Sequence, residues 1–545
     1  MRLSENIRGV RRTSDLMRSS VLRVTSAAES AARDQAAVHD GTASFALMAQ
    51  AGTVAAADIL RSCADRLAYG VALYVGSGNN GGDAYLVAAQ LARAGVLVRV
   101  HATAPPRSAD AQHASAIASP HLVHGAPTGR ELVAVDGVLG TGHQGPLRDA
   151  VVAACEMLAL ARERGAQIVA LDLPSGLDAT SGDIAPGSVA AHRTLSFGTI
   201  KRGQLIARSH VGVLQILDIG LRGALALSDD AWRMADAAVL ARVLPTIAWN
   251  AHKGTRGHLA LVGGAAGMAG AIMLATRAAL RTGCGLAKAW VDAPGVAAMQ
   301  QAIPQAMTHA WPSDDFAQAP LAHALAIGPG LGRHPASFAV LRHALQANAD
   351  RPVVFDADAL TLLTMYEMDG TLAAHAHDSA AMLRELTVDA RHTVITPHIG
   401  EFVALAGLSS TMDWQARADA LRDFAKRANV TVLLKGTPTL IATADGGPLT
   451  VMARGNALLA TGGSGDMLTG IIGALLAQGV SGHDAALLGA TAHGLAAECA
   501  VSQCATVRGL TLDAVLDALP AAWVQITSAP TLPPNVLTSF PAPWQ

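Results

Sequence analysis

Aromatic residues are scarce in this sequence, and its charges nearly cancel. Phe, Trp and Tyr make up 3% of the 545 residues, and 40 Lys+Arg face 42 Asp+Glu, which gives a formal net charge of −2. Nucleic-acid-binding proteins use a basic surface or aromatic platforms on which bases stack. The sequence offers neither, so its composition argues against nucleic-acid binding.

Long apolar runs are also missing, although 51% of the residues are hydrophobic. A membrane-spanning helix needs ~20 consecutive apolar residues. The charge-free stretch at 467–480 is shorter than this and contains several glycines. We therefore predict a soluble protein with no membrane partner.

Paired cysteines are absent as well. The five cysteines are scattered, and no two of them form a CxxC pair. This pattern argues against a disulfide framework or a zinc knuckle and is typical of a reducing compartment. The first thirty residues contain six arginines but no continuous apolar segment, so they do not resemble a secretory signal. We expect a cytoplasmic protein with an N-terminal extension at residues 1–20.

Short apolar runs, by contrast, recur along the chain and end in Gly, Asp or Pro. Examples are residues 71–76, 168–172 and 259–264, which have strand length and little polar alternation. Strands that are buried on both faces have this pattern. Ala- and Leu-rich stretches that are typical of helices, such as 84–94 and 270–281, lie between them. The alternation predicts parallel α/β sheets, in which ligands bind at the carboxyl ends of the strands.

Two α/β domains of unequal size account for the chain. Residues 228–251 contain no strand-like run with a Gly or Asp terminus and are typical of a connector with one helix. We therefore predict a first domain at 21–227 and a second domain at 228–527. The five prolines of residues 528–545 predict a flexible or surface-laid tail.

The first candidate site begins with the sequence GSGNNGGD at 76–83, which follows a predicted strand and precedes a predicted helix. Glycines let backbone N–H groups approach an anion, and the N-terminus of a helix adds a favourable dipole. The spacing differs from the GxGxxG of dinucleotide-binding folds, and the segment has no P-loop lysine. Taken alone, it is equally well explained as a glycine-rich turn.

Two further strand ends carry oxygen-bearing side chains. Asp136 precedes the glycine-rich loop at 137–142, and Asp172, Ser175 and Asp178 lie in the sequence LDLPSGLD. Such oxygens are suited to a hard monovalent cation. A carboxylate in the same cleft is also suited to general acid–base catalysis when its pKa is raised.

These segments, with LMxxAG at 47–52 and the closing segment 195–220, resemble the NAD(P)H-hydrate epimerase domain over about residues 21–225. The resemblance implies a Rossmann-like three-layer domain that interconverts the R and S epimers of hydrated NADH and NADPH. It implies potassium ligands at Asn80, Asp136 and Ser175, and it makes Asp172 the acid–base residue. The hydrate-binding positions that it implies are Asn79, Asn80, Gly81, Gly82, Asp83, Gly140, Thr141, Gly142 and Asp172.

This chain departs from the family beside its ligand loop. It has Ser77 where the family commonly has Pro, and Ala84 and Tyr85 where Gly and a small apolar residue are usual. These changes flank the loop and leave its core intact, so they bear on loop shape more than on activity.

The second candidate site centres on TGGSGD at 461–466, which opens a predicted helix. Consecutive N–H groups at a helix start form an anion cradle, and Asp466 is placed to take a hydroxyl proton. Phosphoryl transfer depends chiefly on positioning, cations and a base near the nucleophile. Lys435 is suited to covering a nucleotide phosphate, and Asp356 and Glu401 are suited to acting through magnesium or water.

Two histidines in this half have alternative interpretations. His398, in TPHxGE, is either a contact to substrate or a structural residue at a strand end. His493 lies in an Ala-rich helix, where packing is the simpler interpretation. The glycines at 328–332 are likewise explained by a plain turn when taken alone.

Six motifs, in the expected order, resemble the NAD(P)H-hydrate dehydratase domain over about residues 228–527: HKGTRG, GPGLG, DADAL, TPHxGE, LKGTPT and TGGSGD. The resemblance implies a ribokinase-like fold in which a nucleoside di- or triphosphate phosphorylates the C6 hydroxyl of the S hydrate, after which phosphate leaves. Fused bacterial members characteristically use ADP, with magnesium, and release AMP and phosphate.

The resemblance also implies the contacts of this second site. The implied hydrate contacts are Ala271, Gly330, His398 and Asp466, of which Asp466 is the base. The implied nucleotide contacts are Lys435, Gly436, Thr437, Pro438, Thr439 and Gly465. Gln305 stands where relatives often carry Glu, which weakens any role for that position.

The combined pattern predicts a bifunctional enzyme, an isomerase fused to a lyase, that repairs hydrated NADH and NADPH (NADHX and NADPHX) with K+, Mg2+ and ADP. The main alternative is a ribokinase-like small-molecule kinase with an accessory ligand-binding domain, which leaves residues 79–83 unexplained. A non-catalytic binding protein is a second alternative, but every carboxylate that the resemblance requires is present. Because relatives form symmetric assemblies, we expect a homo-oligomer.

Overall fold

A computed structural model describes residues 21–123, 125–221, 231–311, 322–348, 350–368, 371–374, 379–386, 392–409, 411–528 and 532–543. The predicted N-terminal extension at residues 1–20 lies outside these ranges. So does the predicted domain boundary between residues 227 and 228.

The strands, in chain order, are β1 (Val21–Thr25), β2 (Val71–Val75), β3 (Val98–Ala102), β4 (Val133–Gly137), β5 (Gln167–Leu171), β6 (Arg193–Phe197), β7 (Ile200–Lys201), β8 (Val213–Leu217), β9 (Trp232–Ala235), β10 (His258–Val262), β11 (Leu286–Asp292), β12 (Met307–Trp311), β13 (Ala324–Ile327), β14 (Val353–Phe355), β15 (Met365–Met368), β16 (Thr371–Ala374), β17 (Thr393–Ile395), β18 (Thr431–Leu434), β19 (Thr439–Ala442), β20 (Leu449–Met452) and β21 (Val536–Phe540).

The α-helices, in chain order, are α1 (Ala27–His39), α2 (Ser44–Ser62), α3 (Asn79–Arg93), α4 (Ala109–Ala118), α5 (Asp149–Glu163), α6 (Arg202–Ile206), α7 (Arg208–Val211), α8 (Ala237–Val243), α9 (Ala269–Arg281), α10 (Val296–Ala302), α11 (Pro335–Ala347), α12 (Asp358–Leu362), α13 (Ser379–Leu386), α14 (Ile399–Ala406), α15 (Trp414–Ala428), α16 (Ser464–Ala477), α17 (Gly482–Cys504) and α18 (Leu512–Thr527).

The first sheet has the strand order β21-β8-β6-β5-β4-β2-β3. Its strands run parallel except for β21, which pairs antiparallel with β8. Every side chain of β2 and β4 is buried, because α2, α3 and α4 cover one face and α5 covers the other. This arrangement confirms the predicted three-layer α/β fold of the first half.

The second sheet has the order β12-β11-β10-β13-β14-β17-β18-β19-β20-β9-β1-β7. The strands from β12 to β18 are parallel, and β19 is antiparallel to both of its neighbours. Helices α9, α16, α17 and α18 pack on one face, and α11, α13, α14 and α15 pack on the other. The predicted α/β class is therefore confirmed here too, and β15 and β16 form a separate hairpin.

Helix α17 is the one single helix of the described residues that is long and apolar enough to cross a membrane. Within its apolar window, however, 89% of the residues are buried inside the protein. Helices α16 and α18 pack against it in the core of the second half. The apolar character of α17 is thus that of a central core helix.

The two halves of the chain exchange edge strands. Strand β1, from the N-terminal end, pairs antiparallel with β9 and parallel with β7. Strand β9 in turn pairs with β20 of the second sheet. Strand β21, from the C-terminal end, completes the first sheet beside β8. One hydrophobic cluster accordingly runs across both halves and includes Leu214, Trp232, Phe355 and Phe540.

This exchange corrects two predictions. The tail is not a flexible or surface-laid extension at Val536–Phe540, because these residues form β21 and bury Phe540 to 2% exposure. The segment 228–251 contains the predicted single helix, α8, but also a strand that was not predicted, β9. Both strands pair with residues far away in sequence, and polar residues interrupt their apolar runs, Arg233 in β9 and Thr538 and Ser539 in β21.

Candidate active sites

The first candidate site lies at the carboxyl ends of β2, β4 and β5, where three loops meet. Gly76 and Gly81 make this meeting possible. A Cβ atom on Gly76 would lie 1.9 Å from the Val138 carbonyl oxygen, and one on Gly81 would lie 1.9 Å from the Gly76 carbonyl oxygen. Only glycine fits at these two positions, so the glycine-rich motif has a packing role in addition to any contact with an anion.

Asn80, Asp136 and Ser175 surround a single loop residue, Leu139. The Asn80 amide donates to the carbonyl oxygens of Leu139, at 2.8 Å, and Leu171, at 3.1 Å. The Leu139 N–H donates to Ser175 Oγ at 2.9 Å, and this hydroxyl donates to Asp136 Oδ1 at 2.5 Å. The structure therefore brings together the three side chains that the sequence suggested as cation ligands.

The donor atoms of this group are suited to a monovalent cation. Asn80 Oδ1 is buried and accepts no hydrogen bond from the described residues. Burial raises the pKa of Asp136, and hydrogen bonds from Ser175 and Val138 oppose that rise. A buried carboxylate and an orphaned amide oxygen are both stabilised when a cation bound by oxygen ligands lies between them.

Asp172 forms a buried ion pair with Lys201. The Lys201 ammonium donates to Asp172 Oδ1, to Ser196 Oγ at 3.1 Å and to the Phe197 carbonyl oxygen at 3.0 Å. Lys201 is 1% exposed, and Asp172 is 8% exposed. Asp172 also has a φ of 63°, a left-handed conformation that costs a non-glycine residue of this kind about 1 kcal/mol and that clusters at functional sites.

Two further carboxyls belong to the electrostatic environment of this pair. Burial raises the pKa of Asp83 well above its usual range, the negative charges of Asp172 and Asp34 raise it further, and Lys201 lowers it. Burial and Asp172 likewise raise the pKa of Asp34, which lies on α1. The raised pKa of Asp83, beside the Asp172–Lys201 pair, gives the site two carboxyls in unlike surroundings, an arrangement suited to acid–base catalysis.

The other predicted hydrate contacts lie in the loops around the Asp172–Lys201 pair. Gly140 packs against Asn80, since a Cβ on Gly140 would lie 3.2 Å from that of Asn80, and Gly82 packs on Met48 of the LMxxAG segment. Asn79 accepts a hydrogen bond from Ser108 at 2.8 Å. Thr141 and Gly142 continue the turn outward, where Gly142 is exposed.

The second candidate site lies where β14, β18 and the start of α16 converge. Asp356 follows β14 and is 1% exposed. Its Oδ1 accepts from the Lys435 ammonium at 2.7 Å and its Oδ2 from the Thr469 hydroxyl at 2.6 Å. Both carboxylate oxygens are thus engaged, so Asp356 holds Lys435 in place. A Cβ on Gly465 would lie 3.2 Å from Lys435 Nζ, which brings the glycine-rich loop against this lysine.

Asp466 lies in the first turn of α16, next to this ion pair. Burial and the negative charges of Asp356 and Asp358 raise the pKa of Asp466 to about 7, although Lys435 lowers it. A carboxylate tuned to this range both accepts and returns a proton at neutral pH. The loop that positions it turns at Gly463, where φ is 96° and a Cβ would lie 2.5 Å from the Leu274 side chain.

His398 caps helix α14. Its Nδ1 accepts from the N–H groups of Gly400 and Glu401, while Glu401 Oε2 accepts from the His398 N–H at 2.8 Å. Burial raises the pKa of Glu401, and Lys435 lowers it. The structural interpretation of His398 therefore has a physical basis, yet its side chain is 60% exposed and stays accessible to a ligand.

The remaining predicted contacts line the same edge of the second sheet. Gly330 adjoins Ala271, since a Cβ on Gly330 would lie 3.2 Å from that of Ala271. Gly436, Thr437 and Pro438 lie in the turn between β18 and β19, in which Gly436 and Thr437 are exposed, and Thr439 begins β19. His493 is 5% exposed, and its Nε2 lies 3.4 Å from the Ser464 hydroxyl, so it packs beneath the glycine-rich loop.

Sequence reasoning missed two charged residues of the first site. Lys201 appeared only as part of a closing motif, and Asp34 was not singled out. Neither Lys201 nor Asp34 ends a buried apolar strand, which is the pattern that marks Asp136 and Asp172 in the sequence. Among the described residues, no three His, Cys, Asp or Glu side chains converge as a metal site.

Two parallel α/β units, one with a buried carboxylate–lysine pair and one with a glycine-rich loop beside a tuned carboxyl, define a two-site metabolic enzyme. Residues 44–203 match the family described as YjeF-related protein N-terminus, and residues 259–521 match the NAD(P)H-hydrate dehydratase family. The matches to curated relatives extend over most of both chains and include both regions.

The bifunctional NAD(P)H-hydrate repair enzyme Nnr of Escherichia coli is 34% identical over 479 residues, which cover 84% of this chain and 85% of the relative. Its namesake in Moorella thermoacetica is also 34% identical, over 483 residues, 83% of this chain and 86% of the relative. The chain belongs to the family of bifunctional NAD(P)H-hydrate repair enzymes. It combines an epimerase and a dehydratase domain, and the small-molecule kinase alternative is not favoured.

A solved structure gives a further similarity. The ADP/ATP-dependent NAD(P)H-hydrate dehydratase of Bacillus subtilis, co-crystallised with ATP and Mg2+, is 28% identical and has a TM-score of 0.45. The match covers 53% of this chain and 97% of that chain.

Proposed function

We propose that the second site dehydrates the S hydrate of NADH or NADPH at the expense of ADP. Asp466 takes the proton of the C6 hydroxyl while the hydroxyl oxygen attacks the terminal phosphoryl group of ADP, which releases AMP. The C6–O bond then breaks as the lone pair of the ring nitrogen moves toward C6. Phosphate departs, and loss of a proton from the adjacent ring carbon restores the dihydronicotinamide.

The observation that carries this proposal is the position of Asp466, in the first turn of α16 beside the Asp356–Lys435 ion pair, where its pKa is raised to about 7. Hydroxide is a poor leaving group and phosphate is a good one, so the protein has to supply a base, a phosphate cradle and cationic charge. Asp466, the N–H groups of the glycine-rich loop and Lys435 provide these three. Mg2+ bound with the nucleotide would neutralise phosphate charge, since this ion is held largely by phosphates and water.

We further propose that the first site interconverts the R and S hydrates, with Asp172 as the acid–base residue. The buried pair with Lys201 supports this role, because it holds the carboxylate in one orientation. K+ held by Asn80, Asp136 and Ser175 would fix the loops around the substrate. The orphaned Asn80 Oδ1 supports that site, and we infer that residues 79–83 and 140–142 contact the hydrate.

The catalytic units in this proposal are residues 21–227 and 228–527. The nucleotide is proposed to contact Lys435 and the turn that follows it, through Thr439, as well as Gly465. Ala271, Gly330 and His398 would contact the hydrate beside Asp466. A cytoplasmic location and a homo-oligomeric state stay predictions. Light scattering on the purified chain tests the oligomeric state.

The test is a comparison of two variants in the full chain. Asp466→Asn should lower ADP-dependent recovery of dihydronicotinamide absorbance from the S hydrate by at least about 100-fold, the usual contribution of a general base. This variant should still convert R into S hydrate at the wild-type rate, as measured by chromatography. Asp172→Asn should show the reverse pattern.

Each result bears on the two-site assignment. If both variants lose both activities equally, the division into two sites is wrong. If recovery requires no nucleotide, the phosphorylation step is wrong. If ADP and ATP work equally well, the preference for ADP is wrong.

A further inference from the structure

Arg202, the residue after Lys201, reaches from the first half of the chain into the second. Its side chain is 8% exposed. One terminal nitrogen donates to both carboxylate oxygens of Glu29 at 2.9 Å, and the other donates to Gln415 Oε1 at 2.9 Å. The guanidinium also lies 5.1 Å from the centre of the Trp232 ring.

The contacts of Arg202 with Gln415, Trp232 and Glu29 are each tied to the dehydratase half. Gln415 lies in the first turn of α15, and Trp232 begins β9 of the second sheet. Glu29 lies in the first turn of α1, where it forms a capping box with Ser26 directly after β1. Because β1 pairs with β9, Glu29 is also anchored on the second sheet.

The backbone of Lys201 is attached to the same sheet. Strand β7 pairs with β1 so that Lys201 lies opposite Thr25. The Thr25 and Thr199 hydroxyls lie 3.0 Å apart in this pairing. Lys201 is therefore held by hydrogen bonds that continue through β1 and β9 into β20, while its side chain enters the first site.

The next turn of the chain connects this segment to Asp172. The Gln204 side chain accepts from the Lys201 N–H at 2.9 Å and donates to the Asp172 carbonyl oxygen at 2.6 Å. Gly203 allows no displacement toward the neighbouring loop, because a Cβ there would lie 2.0 Å from the Asp178 carbonyl oxygen. A movement of the Arg202 segment would thus be transmitted to the carboxylate–lysine pair.

We propose that Arg202 is a positioning residue through which the dehydratase half holds the Lys201–Asp172 pair in register for epimerisation. The contacts with Glu29, Gln415 and Trp232 lie outside the second site and do not include Asp172. The inference rests on the proposed role of Asp172. It goes further in making the epimerase reaction depend on side chains of the other domain.

The test uses four variants of the full chain. Arg202→Met removes the hydrogen bonds and keeps most of the apolar stem, whereas Arg202→Lys keeps the charge. Gln415→Ala removes the acceptor on the dehydratase side, at an exposed residue where folding is not at risk. Asp423→Ala is the matched control, since Asp423 lies on the same helix and forms an exposed ion pair with Arg427.

Arg202→Met should lower kcat for epimerisation by about tenfold or more with little change in KM, since small displacements of a catalytic group have effects of this order. Gln415→Ala should lower kcat by a few-fold, Arg202→Lys should recover part of the loss, and Asp423→Ala should match wild type. Dehydration of pure S hydrate should be unchanged in all four.

The split between kcat and KM, together with the recovery in Arg202→Lys, separates positioning from a merely structural role. A displaced Lys201–Asp172 pair slows turnover but leaves the proposed hydrate contacts at residues 79–83 in place, so kcat should fall while KM stays near the wild-type value.

Three results would overturn the proposal: wild-type kcat in Arg202→Met and Gln415→Ala, equal loss of both activities in Arg202→Met, or a larger effect of Asp423→Ala than of Gln415→Ala. The Asp172→Asn variant distinguishes this failure from that of the underlying assignment. If Asp172→Asn still epimerises, the assignment of the first site is wrong; if it does not and Arg202→Met does, only the positioning role is wrong.

Discussion

Asp466 and Asp172 are the two proposed catalytic carboxyls, one in each half of the chain, and the charged side chains next to them differ in sign. Burial and the negative charges of Asp356 and Asp358 raise the pKa of Asp466 to about 7, a value suited to accepting and returning a proton at neutral pH. Asp172 instead faces the Lys201 ammonium at hydrogen-bonding distance, and the lysine holds its carboxylate in one orientation. The two residues are therefore set for different tasks.

The pH dependence of dehydration follows from the tuning of Asp466. A general base works only when deprotonated, so the rate should fall as the pH drops through about 7, the pKa of Asp466. Asp358→Asn removes one of the charges that raise this pKa while keeping the shape of the side chain. Its acid limb should therefore move to lower pH in steady-state assays with saturating ADP.

The control for this prediction is Asp423→Asn, which removes a negative charge from an exposed ion pair on α15. It should leave the acid limb where it lies in wild type. An unchanged or upward-moved limb in Asp358→Asn would contradict the electrostatic account of Asp466.

Residues at the ends of buried strands were predictable from the sequence, because an apolar run that stops at Gly or Asp marks a position on the sheet edge. Asp136, Asp172 and Asp356 were found in this way, whereas Asp466 was found from the glycine-rich run that opens a helix. Lys201 was assigned no role because its strand, β7, has only two residues and Asp172 lies 29 positions away. Such a pair is visible only once the chain is folded.

At the scale of elements, the contact between α9 and α16 is close enough to require glycine. A Cβ on Gly470 would lie 2.0 Å from the Ala275 carbonyl oxygen, which is backbone and has no rotamer to change. Gly470→Ala should therefore push the helices apart and lower the free energy of unfolding by about 1–3 kcal/mol. Urea denaturation followed by circular dichroism measures this loss.

Gly270→Ala is the matched control on the facing helix. A Cβ on Gly270 meets no atom within 4 Å, and alanine is favoured over glycine in helices by about 1 kcal/mol. This variant should be as stable as wild type or more stable. Equal destabilisation by both substitutions would show that the helix contact is not the cause.

The start of α3 was predicted five residues too late, because a tertiary contact extends this helix. The sequence predicted a helix at 84–94, but α3 begins at Asn79. Asn and Gly have low helix propensity, so they read as loop. The Asn80 side chain overcomes this by bonding two carbonyl oxygens of neighbouring strand ends, a tertiary contact that no window of sequence contains.

At the scale of the whole molecule, the exchanged strands make the stability of one half depend on the other. Phe540 of β21 is 2% exposed and lies between the guanidinium groups of Arg208 and Arg454, at 5.9 and 4.8 Å from the ring centre. Arg208 belongs to the first half and Arg454 to the second. Phe540→Ala should lower the free energy of unfolding by about 3–5 kcal/mol and should lower the denaturation midpoint of both activities.

Leu537→Ala is the control on the same strand, since Leu537 is 39% exposed and its loss should cost less than about 1 kcal/mol. Denaturation is followed by loss of epimerisation and of dehydration in parallel. If Phe540→Ala shifts the midpoint of one activity and leaves the other in place, the two halves are not stabilised by the shared strands.

Strand exchange also sets an order on synthesis. As the chain leaves the ribosome, β1 precedes its partner β9 by about 200 residues. The edge strand β8 precedes its partner β21 by about 300 residues. During translation the first sheet therefore carries an open edge at β8, and its completion is postponed until the dehydratase half has been made.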